Sequence, residues 1–204
     1  LSKEFLTERG YCCGHGCLMC PYEPKHIKDN TILKVINCFK EDNPLIQKTL
    51  RRVTVEEGET IATKLFQILN ERGDGIGLAA NQVGIDASVA VVNVKEPIIL
   101  INPKIVRKEE ETRYYEGCLS YPKKGCHTKR YKIVEVEVDN YESNLTFGAG
   151  DTEVDLLESV CVQHEIDHLN GMRILDRVVD TTYRAEIKPG RNEPCHCGSG
   201  KKFK

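Results

Sequence analysis

Residues 163–168 read QHEIDH, two histidines four positions apart with a glutamate directly after the first. On a helix, positions four apart share a face, so His164 and His168 can aim their imidazoles at one point, as a divalent metal site requires. Glu165 then stands one position round, within reach of a water at that point without ligating the ion. The same residues also fit a helix carrying two surface histidines and incidental acids, and the motif alone does not separate the two.

A hydrolytic site of this kind needs a third protein ligand and an open fourth corner for water. The longer pattern that ends in a third histidine is excluded, because Ile174 occupies that place. A downstream carboxylate would have to be Glu186 or Glu193, both in a polar stretch that reads as linker. Cys118, in YYEGCLSYP, sits between Gly117 and a Leu-Ser-Tyr-Pro turn and offers a thiolate, with Cys126 and Cys161 as competitors. Cys161 shares the histidines' helix and reads as a small buried hydrophobe.

The elements that must position these groups are legible in the hydrophobic periodicity. DTEVDLLESVCVQHEIDHLNG predicts a helix capped by Thr152 and Asp155, with Leu156, Leu157, Val160, Cys161 and His164 along one face and a stop at Gly171. An earlier helix runs from a capping box at Thr54 and Glu57, through Ile61, Leu65, Ile68 and Leu69, to Gly73. SVAVVNV and PIILINPKIV predict paired strands, and YKIVEVEVDN a strand with Val134, Val136 and Val138 on one face and Glu135, Glu137 and Asp139 on the other. TILKVINCF reads as an extended lead-in, and the residues between it and the first helix as irregular. The class is α+β.

Composition narrows the function. The net charge of −2 lacks the basic footprint of nucleic-acid binding, so DNA is not an expected partner. No apolar run approaches the ~20 residues of a membrane span, and no signal-peptide core is present, so no membrane insertion and a cytoplasmic location are expected. The first residue is Leu1 rather than Met, and sequence is expected to be missing at both ends. Six of the ten cysteines cluster near the ends, which favours metal sites over a disulfide framework. Three domains are expected: a cysteine-rich knuckle over 1–30, a catalytic body over 31–180, and a linker with a short motif over 181–204.

Three segments, GIGLAANQ (75–82), EGCLS (116–120) and QHEIDH (163–168), stand in the order and spacing of the signature motifs of peptide deformylases, which this chain resembles over roughly residues 31–180. The resemblance implies antiparallel strands packed around a central metal-bearing helix. It implies metal ligands Cys118, His164 and His168, with Glu165 as general acid and base, and the Leu119 backbone N–H with the Gln82 side-chain amide as oxyanion donors. The implied reaction is hydrolysis of the N-formyl group from formyl-methionine at the start of nascent polypeptides, releasing formate, with the ribosome a candidate partner. The implied ion is iron(II), for which zinc or nickel can substitute.

Gly75 and Gly77 then have two readings: loop glycines needing positive φ, or positions whose missing Cβ lets a substrate backbone lie beside Ile76 as an added strand. Leu157, Val160 and Cys161, with Glu116 and Gly117, either line the methionine pocket or are plain core. The stretch KKGCHTKRY after Pro122 matches no usable pattern and leaves the pocket rim undefined.

The terminal segments depart from that family. CHCGSGKKFK resembles the start of the SEC-C zinc motif, with Cys195 and Cys197 as its first pair, and the sequence stops at Lys204 before a second pair. Cys12, Cys13, Cys17 and Cys20 have knuckle spacing for structural zinc. Two rival functions are a zinc peptidase acting on internal bonds and a catalytically inactive zinc-knuckle adaptor at the ribosome or translocation machinery. Against the adaptor, Glu165, Gln82 and all three candidate ligands stand together.

Overall fold

The computed structural model describes residues 33–179. Its elements are helix α1 (Val55–Arg72), β1 (Gly77–Ala79), a 3-10 turn (Ala80–Val83), β2 (Val89–Asn93), β3 (Pro97–Ile101), β4 (Lys104–Gly117), β5 (Gly125–Glu137), β6 (Leu145–Phe147), α2 (Glu153–Leu169) and a second 3-10 turn (Ile174–Arg177). Two antiparallel three-stranded sheets form, ordered β1-β2-β3 and β4-β5-β6.

Helix α2 packs against β1 and β2 of one sheet and β5 and β6 of the other, while α1 covers β1, β2 and β3. The first sheet is therefore sandwiched, which explains the unbroken apolar run Val89–Val92, buried on both faces. Val92, Leu100, Val134, Val136, Phe147, Val162, Ile166 and Leu169 belong to one continuous core around α2. The α+β architecture around a metal-motif helix is the expected one.

Both predicted helices form. At α2 the capping box closes: Asp155 N donates to Thr152 Oγ1 at 3.1 Å, and Thr152 N donates to Asp155 Oδ2 at 3.1 Å. At α1 the box is half made. Glu57 N donates to Thr54 Oγ1 at 3.2 Å, but the Glu57 carboxylate turns away to the Arg51 guanidinium, which offers a charge-assisted bond in place of a backbone N–H. Gly73 ends α1 in the left-handed region at φ 68°. Gly171 follows α2 at φ 73°, where a Cβ would run into the Gln47 carbonyl carbon at 2.7 Å.

The strands differ more. PIILINPKIV divides at Asn102, whose φ of 51° breaks the extension and whose side chain bonds both N–H and C=O of Val53. β4 then runs to Gly117, and β5 starts at Gly125, well before the expected strand at Tyr131. The added lengths are rich in Lys, Arg and Glu and show no apolar alternation, because much of this hairpin faces water. Cross-strand ion pairs such as Lys129–Glu111 (2.5 Å) lie along it. The unread KKGCHTKRY segment is thus the hairpin loop and the first residues of β5.

Candidate metal centre

Cys118 lies at the mouth of the β4–β5 hairpin loop, whose base is the Gly117–Gly125 pair. Turn bonds fix the loop: Tyr121 N donates to Cys118 O at 3.0 Å and Lys124 N to Tyr121 O at 3.2 Å. α2 brings His164 and His168 against it. The ligand atoms of these three residues all lie within 4.8 Å of one another, with Cys118 Sγ 3.2 Å from His168 Nε2. The two rings meet edge to face at 4.9 Å.

Their surroundings tell the histidines apart. His164 Nδ1 is 2.5 Å from Glu116 Oε2, which leaves its Nε2 for an ion. Burial opposes a charge on His164, but Cys118 and Glu116 hold its pKa well above the usual histidine range. His168 is pushed well below that range by burial, with His164 adding to the effect. It is therefore a neutral imidazole.

The donor set fits a divalent ion. Tetrahedral edges at Zn–S ~2.3 Å and Zn–N ~2.0 Å are about 3.5 Å long, close to the observed sulfur–nitrogen approach. The field that favours a proton on His164 equally favours a cation shared with the thiol. Among the described residues, neither competing cysteine joins the trio. Cys161 is buried, packs in the core and points its thiol at Ile76 O at 3.6 Å, and burial raises its pKa well above the ordinary value. Cys126 Sγ faces Ile174 O at 3.8 Å. Glu186, Glu193, Cys12, Cys13, Cys17, Cys20, Cys195 and Cys197 lie outside the described residues.

Glu165 is buried beside the trio, and its Oε2 has no hydrogen-bond partner. Loss of solvent pushes its pKa up to about 7. Gln82 is fully oriented: Ala79 N donates to its Oε1 at 2.9 Å, and its Nε2 donates to Ser120 Oγ at 3.2 Å and points at Cys118 Sγ at 3.6 Å.

A cleft of about 870 Å³ opens over these groups. Gly75, Ile76 and Gly77 form one wall, Glu116, Gly117 and Leu119 another, and Leu157, Val160 and Cys161 a third; Gln82, Cys118, His164 and Glu165 also line it, whereas His168 lies beneath. Neither Gly75 nor Gly77 is among the positive-φ glycines, so that reading of them is overturned. Packing is the constraint instead. A Cβ on Gly77 would meet Glu165 Oε1 at 2.5 Å and Cys161 Sγ at 2.7 Å, and one on Gly75 would meet Leu119 at 2.8 Å. Glu116 borders the cleft, but its carboxylate is committed inward to His164, Thr128 and Arg130.

Those last contacts expose residues the sequence reading missed. Arg130 Nε donates to Glu116 Oε1 at 2.7 Å and its NH1 to Asp167 Oδ2 at 2.5 Å, and Arg177 NH2 donates to Asp167 Oδ1 at 2.7 Å. Glu116 is held at a pKa of about 2 because hydrogen bonds from His164 and Arg130 outweigh the cost of burial. Asn81 Nδ2 donates to His168 O at 2.7 Å and fixes the end of α2. Gln163 grips the backbone of Tyr131 with both ends of its amide. No local spacing signals these pairings; they follow from burial, since Asp167 lies in the buried half of α2, where a carboxylate demands a cation.

A thiol from a hairpin loop and two imidazoles from an HExxH helix, set under a cleft of this size, define a metallohydrolase site. The profile of the polypeptide deformylase family matches residues 35–184, and this chain belongs to that family. It is 32% identical over 165 residues to the peptide deformylase of Buchnera aphidicola subsp. Schizaphis graminum, covering 79% of this chain and 92% of that protein. The crystal structure of peptide deformylase from Thermotoga maritima superposes with a TM-score of 0.58 at 32% identity, covering 68% of this chain and 93% of that one. A Plasmodium falciparum peptide deformylase in complex with inhibitor gives 0.60 at 29% identity, covering 72% and 90%. The chain is accordingly a metal-dependent hydrolase that removes the N-formyl group from nascent polypeptides. The SEC-C motif profile matches residues 191–204.

Proposed function

We propose that Cys118, His164 and His168 hold a single iron(II) ion in the cell, replaceable by zinc or nickel, and that Glu165 moves the proton of the hydrolysis. The convergence of three ligand atoms within 4.8 Å carries this reading. When bound, the ion supplies a Lewis acid that makes water nucleophilic at neutral pH. The unpartnered Oε2 of Glu165 accepts the water's proton and returns it to the departing amine. The Leu119 N–H and Gln82 Nε2 donate to the oxygen that gains charge.

The methionine side chain enters between Leu157, Val160 and Cys161, beside Gly117, and the peptide backbone lies along the free edge of β1 next to Gly75, Ile76 and Gly77. β1 is paired on one side only, by β2, which leaves that edge available. The segment 31–180 is the catalytic domain, Cys12, Cys13, Cys17 and Cys20 of segment 1–30 are candidates for structural zinc, and Cys195 and Cys197 of segment 181–204 supply only the first pair of a second zinc motif. The enzyme works in the cytoplasm beside the ribosome. No helix among the described residues is long and apolar enough to cross a membrane.

The test is formate release from a formyl-methionyl dipeptide by anaerobically purified protein loaded separately with iron, zinc and nickel, with metal content measured. Iron-loaded enzyme should turn over fastest. Glu165→Gln should retain the ion and lose roughly 10²–10⁴-fold in rate, and Cys118→Ser should lose or retune the ion. Undiminished metal content and turnover in Cys118→Ser would remove the proposed ligand set.

A further inference from the structure

The deformylation reading leaves the cleft's outer rim without a task. That rim includes Tyr115, which is 59% exposed, together with Arg72, Asp74, Lys123 and Lys124. Arg72 and Asp74 neutralise each other at 3.0 Å. Deeper in the cleft, Glu116 is bound to Arg130. Neither Lys123 nor Lys124 meets a carboxylate within ion-pair distance among the described residues, so the mouth carries two uncompensated positive charges in a protein whose net charge is −2.

Their position is fixed relative to the reaction. Both lysines belong to the turn that carries Cys118, closed at its base by the Gly117–Gly125 pair and braced by the bond from Lys124 N to Tyr121 O. Lys123 sits at φ 63°, a left-handed backbone conformation unusual for a side chain of its kind. A peptide laid along β1 from the trio advances about 3.3 Å per residue, so the three residues after the first span about 10 Å, a length over which a cleft lined by these lysines can be met.

We propose that Lys123 and Lys124 select nascent chains carrying Asp or Glu within the three residues that follow formyl-methionine. This rests on the deformylation reading. The lysines line the cleft itself, which favours a peptide side chain over an RNA backbone as the anion they meet.

The test compares kcat/KM for formate release from formyl-Met-Ala-Ala-Ala and from variants with Glu or its neutral isostere Gln at each Ala in turn. The Glu/Gln ratio should reach roughly two- to fivefold at low salt, as exposed charges across a recognition surface allow. It should decline toward one between about 0.01 M and 1 M salt, where the screening length falls from about 30 Å to 3 Å. In Lys123→Gln/Lys124→Gln the ratio should drop to near one, and in Lys123→Glu/Lys124→Glu it should invert. Formate release from the neutral peptide with a wild-type ratio of one or less at every position overturns the rim proposal alone, as does an unchanged ratio in the double variants. Salt-sensitive RNA binding that the variants abolish, without Glu/Gln discrimination, also overturns it. No formate from any peptide by verified metal-loaded enzyme overturns the underlying reading instead.

Discussion

Nδ1 of His164 and Oε2 of Glu116 are 2.5 Å apart, and the same carboxylate is gripped from its other side by Arg130. The contact leaves Nε2, the proposed ligand atom, free for the side of Cys118 and His168, and the negative charge raises the imidazole's basicity. Partners of this kind typically govern affinity by about 10–100-fold. Glu116→Gln should weaken metal binding by that amount in chelator competition, with the far-ultraviolet spectrum unchanged. Affinity within twofold of wild type would deny Glu116 any part in orienting the ligand.

Gln82 has one amide end anchored to Ala79 N and the other aimed at Cys118 and Ser120. Gln82→Glu preserves the anchor but replaces the donor with an acceptor. In the proposed role as donor to charge that develops in the transition state, its loss should cost about 10²–10³ in kcat with KM little altered. A change confined to KM would mean that Gln82 binds substrate and transition state alike.

Gly77 is needed for what lies behind it. Alanine there would press on Glu165 Oε1 and Cys161 Sγ from the β1 side. Overpacking of this sort costs roughly 1–3 kcal/mol, and here the displaced atoms include the proposed base. Gly77→Ala should lower the denaturant midpoint and, separately, depress formate release of the folded protein. Wild-type activity in a destabilised variant would show that only Cys161 gives way.

Asp155 caps α2 and pairs with Lys95 at 2.7 Å, and these bonds, the lysine's foremost, lower its pKa to about 2. A carboxylate depressed in the folded state stabilises above its unfolded pKa, near 3.9, and loses that contribution as pH falls through the folded value. Wild type should therefore exceed Asp155→Asn in stability from neutral pH down to about 4, and the gap should close toward pH 2. Urea titrations at several pH values would read this, and a gap independent of pH would assign the effect to the cap's shape rather than its charge.

The sequence by itself determined whatever depends on local spacing. The i, i+4 histidines, the Thr152–Asp155 cap, the αL stop at Gly73 and the alternating valines of β5 each follow from helical or strand periodicity within a few residues. Three segments in family order carried the reaction. The family resemblance had already named Cys118 as the cysteine beside the histidines; the tertiary structure supplies the reason, because Cys118, Cys126 and Cys161 are equivalent as residues and differ in where two sheets and a helix place them. It alone decided that Gly77 is small to admit Glu165 and that Arg130 anchors Glu116 and Asp167, pairings across 14 and 37 positions of chain. Contacts between distant segments arise from burial, where a charge must find its partner in space, and no local period records them.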